Sequence, residues 1–138
     1  PEVQLHFFDT AYMLGHCYNH LQQYDRAYYY LELLLPLHNM VYTEEYVNCL
    51  VNKGDLRAYG TIEGMLAELK KIPPKEREKG ALAAFENFLR RRKAYLLVEL
   101  QRDEEAEKML RKMMDEPDNT DFAISELAIL QKRKEERK

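Results

Sequence analysis

Leu14-Gly15-His16-Cys17-Tyr18, followed by Tyr24, Ala27 and Leu31, is the stretch that decides the fold. Its apolar residues recur at three- and four-residue intervals, the period of one helix face, and Gln22-Gln23 separates two such runs. Two helices joined by so short a turn return antiparallel. At their crossing Gly15 and Ala27 carry almost no side chain, so two backbones approach closely, while Tyr18, Tyr24 and Leu31 fill the volume beside them. Overpacking that crossing with Gly15→Leu or Ala27→Phe is therefore predicted to cost about 1–3 kcal/mol.

Working outward, the same period continues almost throughout the chain, and breakers stand where turns are needed: Pro36, Gly54-Asp55, Pro73-Pro74 and Pro117-Asp118-Asn119. Seven helices are predicted, at about 7–21, 24–37, 41–53, 56–71, 75–101, 104–115 and 119–136. The twelve-residue frame from Gly15 to Ala27 recurs from Val47 to Tyr59 and from Ala94 to Ala106. The second copy carries larger residues at the crossing positions.

The full pattern, L-G-x-x-Y-x-x-x-x-x-Y-x-x-A with Leu31 a turn further on, resembles the tetratricopeptide repeat over roughly residues 8–120. The resemblance implies an all-α, right-handed superhelix of hairpins: repeats at about 8–39, 40–72 and 87–118, and a cap at 119–136, within a single domain 1–138. Gly15 and Val47 lie 32 residues apart but Val47 and Ala94 lie 47 apart, so an insert precedes the third copy. An extended helix 75–101 is expected to carry it. The final helix, apolar on one face and densely charged from Lys132 to Lys138, suits a polar cap on a helical stack.

Composition narrows the function. The chain has 138 residues, 46% apolar and 33% charged, with five Gly and five Pro, which fits one folded helical domain. A net charge of −3 supplies no field toward nucleic acid or anionic lipid. The apolar run around Leu33–Leu37 is far shorter than the roughly 20 residues that span a bilayer, so no membrane segment is predicted. The chain opens on Pro1 without a signal-peptide pattern and reads as a segment excised from a longer protein. Two cysteines, Cys17 and Cys49, are too few for a disulfide framework and fit a reducing compartment, the cytoplasm.

No enzyme signature stands out. Cys17 and Cys49 fall at matching places in successive repeats, as packing residues do. No glycine-rich phosphate loop is present, and the single serine is Ser125. His16 and His20 are four residues apart and share a helix face, yet two ligands do not complete a zinc site, and they read as polar residues facing a groove. Neither metal nor cofactor is predicted. Arg90-Arg91-Arg92-Lys93 spreads around a helix and has acidic neighbours from Asp103 to Glu107, which suits a solvated face better than phosphate contact.

The resemblance implies a concave face lined by the first helix of each hairpin, on which a peptide or helix lies. Helical geometry places on that face Tyr12, His16, Asn19 and His20 in the first copy, and Glu44, Asn48, Val51 and Asn52 in the second. In the third it places Arg91, Tyr95 and Val98. Side chains that both donate and accept can pair with a peptide backbone, and tyrosines add contact area at low entropy cost. Asn48 and Arg92 are reminiscent of the family's carboxylate clamp, but the lysine expected in the first copy is missing, so the clamp is not carried over. As groove residues, Asn48→Ala and Arg91→Ala are predicted to leave stability within about 0.5 kcal/mol. The expected function is non-enzymatic binding of a protein or peptide partner. The alternative is self-association into a homodimer through Phe7 and Phe8 or the helix from Lys75.

Overall fold

Eight α-helices and no strand make up residues 2–138, which the computed structural model describes, with side chains from residue 6 onward. They are α1 (Glu2–His20), α2 (Tyr24–Glu32), α3 (Met40–Lys53), α4 (Arg57–Lys70), α5 (Pro74–Arg77), α6 (Gly80–Glu99), α7 (Asp103–Met114) and α8 (Thr120–Glu136). The all-helical class follows the sequence reading. Two compact units divide the chain, residues 1–89 and 90–138, with the division inside α6.

In the first unit α1 packs on α2, α2 on α3 and α3 on α4, and α1 also meets α3. Ala27, Leu31, Leu34, Val47, Cys49, Leu50, Ala58 and Ile62 are fully or almost fully buried. Gly15 is indispensable to the first crossing: a Cβ there would stand 2.5 Å from Leu31 Cδ2 and 2.6 Å from Leu31 Cγ. In the second hairpin the buried small residue is Ala58, one position before the expected Tyr59, which is half-buried.

Three turns share one hydrogen-bond pattern. Gln22, Gly54 and Gln101 take left-handed φ values of 60°, 75° and 59°. Each donates its N–H three residues back, to Asn19, Val51 and Val98, and the next residue donates five back, from Gln23 to Tyr18, Asp55 to Leu50 and Arg102 to Leu97. This is the Schellman closure, which satisfies carbonyls that a helix end otherwise leaves unpaired. The positions of these turns reproduce the 32- and 47-residue offsets of the sequence frame. In the first and third the left-handed residue is a glutamine preceded by a leucine, Leu21-Gln22 and Leu100-Gln101, so those turns accept a residue other than glycine.

Two expectations are corrected. The helix foreseen at 24–37 ends at Glu32, and Leu35–Leu37 form a 3₁₀ turn around Pro36, whose ring removes an N–H and disfavours a continuing α-helix. The extended helix 75–101 is two helices: α5 is one turn, and Gly80 at φ 71° redirects the chain before α6. Arg77 fastens this corner, its Nε donating to the Ile72 carbonyl at 2.8 Å and its Nη1 lying 3.4 Å from the Glu86 carboxylate.

Caps explain the other boundaries. Asn39 Oδ1 accepts from the Val41 and Tyr42 amides at 2.9 and 3.2 Å and starts α3. Asp55 accepts from the Arg57 amide at 2.9 Å at the start of α4, and the Arg57 guanidinium holds its carboxyl well down, at about 2. In the second unit α7 packs on α8 and buries Ala106, Leu110 and Met113 beside Ala94, Leu97, Ala123 and Leu130. Acids crowd the first turn of α7 and bases its last, as the helix dipole favours.

Candidate functional site

The α1 residues singled out from the sequence come together against α3. Tyr12 packs on Tyr42, with ring centroids 5.1 Å apart, and stacks on His16 at 6.0 Å. His16 Nδ1 lies 2.7 Å from Glu45 Oε1, and its Nε2 lies 3.0 Å from His20 Nε2. Asn19 Nδ2 donates to the Glu45 carbonyl at 3.3 Å. Burial, and then the Glu45 charge, raises the Tyr12 phenol above its ordinary value, so the ring serves as a neutral packing surface. Glu45 organises this cluster and went unnamed in the sequence reading, because α3 periodicity alone does not say which residue meets α1.

On α3, Glu44 and Asn48 are half-buried and Asn52 is exposed. Burial pushes the Glu44 carboxyl up from its ordinary range. Val51 is only 5% exposed, so it belongs to the core and offers no binding surface. A four-residue step along a helix carries about 40° beyond a full turn, enough to move a position from a rim to an interior.

Arg91, Tyr95 and Val98 belong to the second unit. Val98 is 2% exposed and likewise interior. Arg91 is committed to its own fold: Nε donates to Asn119 Oδ1 at 2.8 Å, Nη2 to the Asp118 carbonyl at 2.5 Å, and the guanidinium lies 4.9 Å from the Phe122 ring centroid. Tyr95 packs under the Arg92 guanidinium at 5.3 Å. The prediction that Arg91→Ala leaves stability unchanged is therefore withdrawn.

A further feature of the first unit is an apolar groove of about 750 Å³ along α4. It is lined by Gly60, Thr61 and Gly64, by the apolar Met40, Met65, Leu69, Ile72 and Phe85, and by the charged Glu68 and Lys71. A Cβ added at Gly60 or Gly64 would meet nothing within 4 Å, so nothing in the fold itself requires these glycines. Glycine inside a helix costs about 0.5–1 kcal/mol relative to alanine, and two of them stand one turn apart here. The charged pair is electrically balanced, since Lys71 Nζ lies 3.0 Å from Glu68 Oε1.

The Cys49 thiol offers little chemistry. Cys49 is buried, donates to the Tyr24 carbonyl at 3.3 Å and is pushed up to about 11 by burial, which suppresses the reactive thiolate. Among the described residues no group of three or more His, Cys, Asp and Glu side chains is gathered to hold a metal ion. No helix among them is long and apolar enough to cross a membrane. No protein-family model, curated protein or solved structure matches the chain.

Proposed function

We propose that the chain is a tetratricopeptide-like protein-interaction module that docks an amphipathic helix of a partner protein in the groove along α4. The repeat reading is supported by the three like turns at Gln22, Gly54 and Gln101 and by the glycine-dependent crossing at Gly15. On this reading the hairpins belong to a right-handed superhelical stack. The observation that carries the binding role is the apolar groove lined by two helical glycines whose Cβ positions are open.

The occupant follows from the lining. Residues 60 to 68 rise roughly 12 Å, two turns of helix, so a partner helix presents apolar side chains at i, i+3 or i+4, and i+7. Glycines let its backbone come close, and Met40 and Met65 adapt to the shape of its side chains. A balanced lining selects for fit rather than charge.

Affinity capture from the native host tests this with wild type, Gly64→Leu, and the Tyr12→Ala/Asn48→Ala double variant. Gly64→Leu fills open space and replaces glycine with a strong helix former, so it is expected to fold at least as stably as wild type. A partner kept by wild type and the double variant and lost by Gly64→Leu is the expected result. A partner retained equally by all three overturns the groove assignment, and one lost only by the double variant moves the site to the α1–α3 face.

One observation favours self-association as a second reading. Met13 and Leu21 on and just after α1 are each 63% exposed, eight residues apart with the exposed Cys17 between them, which makes an apolar stripe on one helix face. Sedimentation of wild type beside Met13→Lys/Leu21→Lys tests it. A dimer that becomes monomeric on substitution supports it, and a monomeric wild type removes it.

A further inference from the structure

We propose that His16 and His20 form a two-histidine chelate for a borderline divalent transition-metal ion such as Zn²⁺, with Glu45 holding the first imidazole from behind. The inference stands apart from the helix-docking groove and does not depend on it. It rests on the juxtaposition of three side chains: Glu45 Oε1 lies 2.7 Å from His16 Nδ1, and the two Nε2 atoms lie 3.0 Å apart.

A carboxylate accepts, so Nδ1 of His16 carries a proton, and the neutral ring in that tautomer presents a lone pair on Nε2. Carboxylate–imidazole–metal relays use this arrangement, in which the outer carboxylate fixes the tautomer and raises ligand basicity. Two metal–nitrogen bonds of about 2.0–2.1 Å set their nitrogens about 2.9 Å apart at a right angle and about 3.3 Å apart at the tetrahedral angle. The observed 3.0 Å falls between these, so the two nitrogens already stand at a chelating separation.

The rings are held there. His16 stacks on Tyr12, which packs on Tyr42, and His20 meets the His16 ring edge-on at 4.3 Å between centroids. Access is open, because the His16 side chain is 45% exposed and His20 is exposed. Without metal, the two Nε2 atoms share one hydrogen bond at 3.0 Å. On binding, the proton held between the two Nε2 atoms passes to His20 Nδ1 or to water, and both lone pairs turn to the ion. Water completes the coordination sphere. Neutral imidazoles select Cu²⁺, Ni²⁺ and Zn²⁺ over Mg²⁺ and Ca²⁺, which prefer oxygen ligands.

Calorimetric titration of the whole chain with Zn²⁺, with Mg²⁺ as control, tests the site against His20→Asn, His16→Asn and Glu45→Gln. One Zn²⁺ per chain is expected, with no Mg²⁺ binding. His20→Asn is expected to weaken Zn²⁺ binding by two orders of magnitude or more, and Glu45→Gln by roughly tenfold, the low end for an outer carboxylate. His20 is exposed at a helix end, so its substitution leaves the fold intact, which circular dichroism verifies even if His16→Asn disturbs packing. Zn²⁺ binding of equal strength in wild type and His20→Asn places the ion elsewhere and overturns the proposal, as does the absence of wild-type binding at millimolar Zn²⁺.

Discussion

Two polar assemblies, one in each unit, are built from similar parts and end differently. In the second unit Arg90 donates through Nη1 and Nη2 to the two oxygens of Glu116 at 3.0 and 2.7 Å, Asn119 Nδ2 donates to Glu116 at 2.7 Å, and Arg91 donates to Asn119. Asn119 is 2% exposed, and the network closes on itself, tying the start of α8 to the second half of α6. In the first unit the line from Glu45 through His16 to His20 is anchored at one end and ends near solvent at the other. A polar side chain whose partners all lie within its own fold acts as structure. One with a lone pair left over at the surface is available to a ligand.

That contrast yields predictions of decreasing size. The largest effect is expected from Asn119→Leu, which removes the partner of Arg91 Nε and one of the two donors to Glu116 Oε1 and should cost about 3 kcal/mol in chemical denaturation. Loss below 1 kcal/mol would mean that the network is ornamental and would break the comparison. Arg91→Ala follows at about 2 kcal/mol, since it removes charge-assisted hydrogen bonds together with the stacking on Phe122.

Acid sharpens the same contrast. The Arg90 guanidinium holds the Glu116 carboxyl below its ordinary range, with burial opposing and Asn119 assisting. A depressed folded-state value means that the ion pair contributes fully above the unfolded glutamate range of about 4.3 and that its contribution is lost as pH falls below it. Glu116→Gln should therefore melt lower than wild type at pH 7 and converge with it toward pH 3. A constant gap across that range would contradict the assignment. The smallest effect belongs to the open-ended assembly: His20→Ala, with no metal present, should change stability by less than about 0.5 kcal/mol.

Much of the fold was legible because it is written in local chemistry. A period of 3.6 residues marks helices, Asn39, Gly54 and Pro36 mark their limits, and the frame from Gly15 to Ala27 marks the close crossing. Where the reading failed, the determinant was still local but ambiguous, as at Gly80, which a helix tolerates in one context and which turns the chain in another. The candidate site was legible only in part. Tyr12, His16, Asn19 and His20 share a face as periodicity placed them, while Val51 and Val98 lie in the interior and Arg91 bonds within its own unit.

Local chemistry made the helical class legible, with most of the turns and the close crossing at Gly15 and Ala27. The tertiary structure decided which polar groups meet, because the partners of His16 and Arg91 lie 29 and 28 residues away on other helices. Periodicity fixes the direction of a side chain about its own helix axis, but the partner depends on the crossing angle and the rotation of the neighbouring helix, which many distant packing contacts set together.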